Sequence, residues 1–312
     1  MCKIYFAPME GVTGYIYRNT HNEFYDGVDK YYMPFLSANH TYNFQKKEKK
    51  DFAPENNQNI NVVPQILTNK ASEFIWAAKN LREFGYEEVN INLGCPASTV
   101  VSKGKGAGFL AYPSKLEDFL YEIYSDNSIM DMKISVKCRA GRYFYDELED
   151  LMDIFDEFPI YELIIHPRVQ KDMYKGKPNL KVFEKALDVA RFPVVYNGDI
   201  FTLKDYIKFK NRFPQVKRIM IGRGLVANPE LAEKIKQYET KSPDNNTIIT
   251  NVDKARLRKF HDRLINRYVD EIGEGNSLLK MKEIWNYMYS EFPENTKEIK
   301  AIRKTKRMSE LV

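Results

Sequence analysis

The chain has 312 residues, too many for one small domain and too few for three, and its 43% hydrophobic and 13% aromatic content is enough for a packed core. A net charge of +5, from 48 Lys and Arg against 43 Asp and Glu, is too mild a basic excess to name a partner. Three scattered cysteines, Cys2, Cys95 and Cys138, argue against a disulfide framework or a zinc site, and no run approaches the roughly 18 apolar residues of a membrane span. The expectation is a cytoplasmic monomer with no metal and no membrane partner.

In chain order, the sequence reads strand, turn, helix, repeatedly. Met1 to Ala7 moves straight into a strand-like run rather than a targeting segment. Strands are predicted at Lys3 to Ala7, Lys30 to Phe35, Val62 to Leu67, Glu88 to Leu93, Lys133 to Cys138, Glu162 to His166, Pro193 to Asn197 and Arg218 to Ile221. Helical spacing marks Ala71 to Phe84, Lys115 to Tyr124, Asp146 to Phe155, Leu180 to Ala190 and Leu203 to Lys210. Eight strands alternating with helices imply an α/β fold, a closed (β/α)8 TIM barrel. No G-x-G-x-x-G follows the first strand, which weighs against a doubly wound open sheet. Two stretches break the repeat: His40 to Asn61, with the charge run KKEKK read as a solvated face, and the glycine-rich Ala97 to Pro113. Both follow strand C-termini, where a barrel keeps its active-site loops. The expected organisation is a catalytic barrel over 1–239, a linker at 240–245 within TKSPDNN, and a small C-terminal helical domain over 246–312.

The strand ends carry the chemistry. NGDI (Asn197 to Ile200) and IGRGL (Ile221 to Leu225) put glycine turns after the seventh and eighth strands, a usual phosphate position in such barrels, and Arg223 adds a planar cation. Gln65, Asn92, Lys137 and His166 are polar residues near the C-terminal ends of the third to sixth strands. Lys137 in a strand demands an anionic or electron-rich ligand, because an unpaired buried ammonium is costly. FMN meets these demands with a phosphate, a stacking ring and an N1–C2 carbonyl edge.

The motifs APMEGVTG, PQILTN, INLGCPASTVVSKGKGAGFL, ISVKCRAG, IIHPRVQKDMYKGK, VVYNGDIFT and IMIGRGLVANPEL resemble the dihydrouridine synthase family over about residues 4 to 232. The resemblance implies FMN-dependent, NADPH-consuming reduction of uridines in tRNA to 5,6-dihydrouridine, with a helical domain helping to hold the RNA. It implies that Cys95 is the proton donor and that Pro8, Met9 and Glu10 lie against the isoalloxazine. Gln65 and Lys137 would bind its polar edge, and His166, Asn197, Gly198, Asp199, Gly222 and Arg223 would surround the ribityl chain and phosphate. Asn92, Arg139 and Tyr174 match positions that hold the target uracil. Two residues depart from the family pattern: Gly14 replaces the aspartate of GVTD, which removes a helix-capping side chain, and Pro167 replaces a glycine, which stiffens the loop carrying Arg168.

The chemistry places hydride from flavin N5 on C6 of uracil and a proton from Cys95 on C5, from the opposite face. Gly94, Gly104, Gly106 and Gly108 suggest a mobile Cys95 loop closing over an inserted base. Cys138, next to Lys137 on one strand, is expected to face the outer helices. Residues 251 to 312 hold 14 Lys and Arg against 10 Asp and Glu, which favours a polynucleotide. Ribosomal RNA is the alternative polynucleotide, and an FMN barrel acting on a free pyrimidine is the alternative enzyme.

Overall fold

The computed structural model describes residues 1–240, 252–292 and 294–310. Nine parallel strand segments form the sheet: β1 (Lys3–Phe6), β2 (Lys30–Tyr32), β3 (Val62–Val63), β4 (Gln65–Ile66), β5 (Glu88–Leu93), β6 (Lys133–Gly141), β7 (Leu163–Val169), β8 (Val194–Tyr196) and β9 (Arg218–Ile221). The order β3-β2-β1-β9-β8-β7-β6-β5-β4 has its two ends one residue apart in sequence. Pro64 separates β3, which pairs with β2, from β4, which pairs with β5. Residues 62–66 are therefore one stave that changes neighbours at a residue with no N–H to lose, and the barrel has eight staves, as the sequence predicts.

The pleat sorts each strand between two cores. Tyr5, Ala7, Tyr32, Val63, Ile164, Val195 and Met220 fill the barrel interior. Their neighbours Ile4, Phe6, Tyr31, Ile91, Cys138, Ile165 and Ile219 pack outward against the helices. Among those helices, Leu203–Arg212 opens on a capping box in which Thr202 and Asp205 satisfy each other's backbone N–H, and the Asn179 carboxamide caps Leu180–Val189. The strand β7 is longer than expected: His166 is not its end, and Pro167 and Arg168 lie inside it rather than on a loop. Pro167 is tolerated there because the odd-numbered N–H groups of β7 face β8, as Leu163 N–H faces Pro193 O, and the β7–β8 ladder ends at Ile165 and Tyr196, before the proline.

The helix Tyr15–Phe24 begins at Gly14, which supplies no capping side chain. The missing cap comes from elsewhere. Asp51, at the end of the helix Lys46–Phe52 formed by the KKEKK run, accepts the Tyr15 N–H at 2.6 Å and pairs with the buried Arg18. The lysines of that run stay exposed, as a solvated face should, while Asp51 and Phe52 are buried.

Beyond the barrel, Leu231–Thr240 leads to the border of the described residues, and the expected linker past Thr240 lies outside them. The long helix Lys254–Met288 turns at Gly273, whose φ of 75° no helical residue adopts. Leu257, Phe260, Leu264, Ile265 and Tyr268 recur at helical spacing and are buried, with Phe260 set against Tyr17, Phe24 and Tyr25. The helical region thus shares one apolar core with the barrel's outer layer. No helix of the described residues is long and apolar enough to cross a membrane.

Candidate active site

One cavity of about 410 Å³ lies at the C-terminal mouth of the barrel. Every site residue singled out from the sequence lines it: Pro8, Met9 and Glu10 after β1, Gln65 on β4, Asn92 and Cys95 on and after β5, Lys137 and Arg139 on β6. His166 on β7, Tyr174 beyond it, Asn197, Gly198 and Asp199 after β8, and Gly222 and Arg223 after β9 complete the ring. Tyr287 also lines it, from the long C-terminal helix. The site residues read from the sequence end at Arg223, and Tyr287 adds one from beyond the barrel. Tyr287 reaches the mouth only because the chain turns at Gly273 and comes back over the barrel, so no local sequence signal marks it.

A chain of hydrogen bonds runs up the barrel to Cys95. The Ser135 hydroxyl donates to Glu88 Oε1 at 3.0 Å, and Asn90 Nδ2 donates to Ser135 Oγ at 3.0 Å. Gln65 Nε2 donates to Asn90 Oδ1 at 2.7 Å, and Asn92 Nδ2 to Gln65 Oε1 at 2.6 Å. Asn92 Oδ1 finally accepts the N–H groups of Gly94 and Cys95 at 3.1 and 2.9 Å. The carboxylate at the bottom only accepts, so it orients each amide above it, and each donates downward. Gln65 and Asn92 each keep one amide hydrogen for a ligand, and Asn92 Oδ1, which already accepts two N–H groups, has no acceptor capacity left.

Lys137 is half-buried and has no carboxylate or hydrogen-bond partner among the described residues. Burial, with help from Arg139, pulls its pKa down to about 8. Arg139 is buried and spent on the protein, donating to Gly94 O at 3.1 Å and Val169 O at 3.0 Å, while its guanidinium faces the Tyr174 ring. Burial and the surrounding cations hold the His166 pKa well below its ordinary value. Because Arg168 Nη1 can only donate to His166 Nε2 (3.3 Å), the neutral imidazole carries its proton on Nδ1.

Asp199 holds the Arg168 guanidinium through both oxygens, at 3.0 and 2.6 Å, and accepts from Arg223 at 2.7 Å. Asp199 is thus the counter-ion that aims two arginines. Arg223 is flanked by the rings of Tyr174 and Phe201, each about 5 Å away. The turns after β8 and β9 press together where a Cβ on Gly224 would fall 2.1 Å from Ile200 O, and within the first turn a Cβ on Gly198 would fall 2.0 Å from the Tyr196 hydroxyl.

The Cys95 loop corrects another expectation. Ser98–Val101 and Gly106–Ala111 are short helical turns, and Gly106 and Gly108 are buried. A Cβ on Gly106 would lie 2.8 Å from Cys95 O, and one on Gly108 2.7 Å from Val101 O. These glycines answer close backbone packing rather than loop mobility. Burial pushes the Cys95 thiol pKa up, against the pull of the Ala97 N–H, Lys137 and Arg139, so the thiol is protonated at neutral pH. Cys138 faces the outer core, as expected, and burial lifts its pKa to about 12.

Residues 5–311 match the family model described as Dihydrouridine synthase (Dus). The chain is 27% identical over 296 residues to the tRNA-dihydrouridine(16) synthase of Neisseria meningitidis serogroup B, covering 93% of this chain and 86% of that protein. It is 29% identical over 288 residues to a probable tRNA-dihydrouridine synthase of Staphylococcus aureus strain MRSA252, covering 89% and 82%. Its fold is similar to that of a variant of NCR from Zymomonas mobilis, with a TM-score of 0.53, 11% identity, and 83% and 94% of the two chains covered. At that identity the likeness speaks for the barrel alone.

Proposed function

The chain belongs to the dihydrouridine synthase family, and from that premise we propose that it reduces uridines in transfer RNA to 5,6-dihydrouridine, with FMN as cofactor and NADPH as reductant. One observation carries the reading. Asn92 and Lys137 have only donors to spare, and Gln65 adds an unspent N–H, all gathered beside a protonated thiol. Such a lining suits rings edged with carbonyl oxygens, which uracil and an isoalloxazine both are.

The residues fit a flavin mononucleotide. Lys137 supplies the cation that the electron-rich N1–C2 edge requires, and no carboxylate among the described residues pairs with it. Arg223 and the first N–H groups of the helix Arg223–Ala227, which have no intrahelical partners, would take the phosphate. Pro8, Met9 and Glu10 would form the floor beneath the ring, with His166, Asn197, Gly198, Asp199 and Gly222 around the ribityl chain.

When bound and reduced, the flavin supplies a hydride to C6 of the uracil. Cys95 then gives its proton to C5, so that one hydride and one proton saturate the C5–C6 bond. Its raised pKa keeps that proton available at neutral pH. The thiolate left behind faces the positive charges of Lys137 and Arg139 until solvent returns a proton. Asn92 fixes the Cys95 backbone and turns its spare N–H to a uracil oxygen, and Tyr174 would cover the base beside Arg139. The base must leave its stack to present both faces.

The test begins with purified protein, which should be yellow and release about one FMN per chain. It should then convert uridine to dihydrouridine in tRNA lacking the modification, with NADPH. Colourless protein that no flavin reconstitutes ends the reading. Conversion confined to ribosomal RNA or to free uracil replaces tRNA as substrate and leaves the flavin chemistry standing.

A further inference from the structure

Two aromatic rings stand in water on the rim of this cavity. Tyr143 is 45% and Phe144 63% exposed, and both lie just past the end of β6, the strand that carries Lys137 and Arg139. No apolar side chain outside the pair is in ring contact with them among the described residues, and the turn that displays them is firmly built. The Glu147 carboxylate accepts three successive backbone N–H groups, from Arg142 at 2.6 Å, Tyr143 at 2.9 Å and Phe144 at 2.8 Å. Gly141 lets the turn close, because a Cβ there would lie 2.6 Å from Phe144 O.

The turn is also tied to the rest of the rim. Arg142 O accepts the Lys171 N–H at 3.3 Å, the Tyr145 hydroxyl donates to Asp172 at 2.7 Å, and Gln170 Nε2 donates to Pro96 O in the Cys95 loop at 3.2 Å. Each ring already carries a cation: the Arg142 guanidinium lies 4.8 Å from the Tyr143 centroid and Lys171 Nζ 4.8 Å from that of Phe144. The Glu147 carboxylate of this turn is occupied by the three N–H groups.

We propose that Tyr143 and Phe144 form a stacking platform for an unpaired nucleotide of the RNA next to the reduced uridine, with Arg142 and Lys171 meeting its flanking phosphates. The inference rests on the RNA-reducing reading above. Aromatic faces receive any base, a pre-ordered turn spares the entropy of arranging them, and cations held over one face of the rings suit a polyanion rather than an apolar protein surface. A flipped uridine leaves its neighbours without a stacking partner on one side, and a platform on the same rim offers one.

The experiment compares wild-type holoenzyme with the Tyr143→Ala/Phe144→Ala double variant. It measures binding of an unmodified tRNA transcript across a salt series, and flavin reduction by NADPH without RNA. Affinity should fall roughly ten- to a hundredfold, with the slope of log affinity against log salt unchanged, because stacking releases no counterions. Lys171→Gln should instead lower that slope by about 0.7–0.9. Tyr143→Trp/Phe144→Trp should keep wild-type affinity, and flavin reduction should be the same in all four proteins. Unchanged tRNA affinity in the alanine variant, beside a wild type that binds and reduces tRNA, overturns the platform alone. So does a tryptophan variant as weak as the alanine one. If the alanine variant abolishes a self-association of the wild type without touching tRNA affinity, the rings serve a second copy of the chain and the proposal is wrong. A wild type that neither binds nor reduces tRNA is the distinct failure of the underlying reading.

Discussion

Two lysines enter the same barrel from opposite ends, and their surroundings differ completely. Lys30, at the N-terminal end, lies 2.6 Å from Glu88 and 2.8 Å from Glu162, with the Tyr32 hydroxyl also bonded to Glu162. Burial alone would lower its pKa, but the two carboxylates outweigh burial and hold it above the ordinary lysine value. Lys137, at the mouth, has burial and Arg139 acting against its charge, and its pKa falls. The first lysine is neutralised by the protein, and the second awaits neutralisation from outside. Charge balance, more than polarity, separates the structural end of this barrel from the functional one.

The largest expected effect belongs to the mouth. Cys95→Ala should slow dihydrouridine formation by about 10²- to 10⁴-fold, the usual worth of a positioned acid, while flavin content and NADPH-driven flavin reduction stay at wild-type levels. Wild-type RNA turnover by this variant removes the thiol from the chemistry. The base should behave in the opposite way. Glu162→Ala strips Lys30 and Arg218 of a shared carboxylate and should cost about 3–5 kcal/mol in urea unfolding, with FMN affinity unchanged.

Lys137→Met sharpens the contrast. It deletes an unpaired ammonium, so flavin-free protein should be no less stable than wild type. FMN should nevertheless dissociate about tenfold more readily, or more, through loss of a charge-assisted contact worth about 1.5–3 kcal/mol. A loss of apoprotein stability like that of Glu162→Ala would break the comparison.

The same lysine sets a pH signature. Its pKa is about 8 folded against an ordinary 10.5, so between those values the unfolded chain holds a proton that the native chain lacks. Flavin-free wild type should therefore gain stability over Lys137→Met as pH rises from about 8 to 10.5, by at most roughly 1.4 kcal/mol per pH unit. Parallel stability curves across that window would mean that Lys137 is not destabilised in the fold. The smallest effect is expected for Cys138→Ala, which touches only the outer core and should leave both half-reactions within about twofold of wild type.

The strands were legible because alternation survives even where the inward residue is polar, as in Glu88, Asn90 and Asn92 between Val89, Ile91 and Leu93. The same alternation exposed Gln65, Asn92, Lys137 and His166 as misfits in apolar runs. What stayed hidden depends on contacts distant in sequence. Nothing near Tyr287 marks it as a cavity residue, because its position is decided by the turn at Gly273 and by packing onto the barrel. Glycines in the Cys95 loop were misread for a related reason. Sequence shows that a Cβ is missing but not whether space or backbone approach requires it, and Gly106 and Gly108 belong to the second case. The roles of Asp199 and Glu147, which accept from two arginines and three backbone N–H groups, emerge only from geometry.

Asp51 capping the helix that starts beyond Gly14 has an evolutionary consequence. The aspartate that the family resemblance leads one to expect at position 14 and the carboxylate of Asp51 compete for the same helix end: a Cβ at Gly14 would already lie 3.5 Å from Asp51 Oδ1, beside the single N–H of Tyr15. Restoring the family residue here would set a second carboxylate beside Asp51, so a capping aspartate that is favourable in a relative's background meets like-charge repulsion in this one. The worth of an aspartate at position 14 thus depends on whether position 51 is acidic, and the two positions are expected to change in concert.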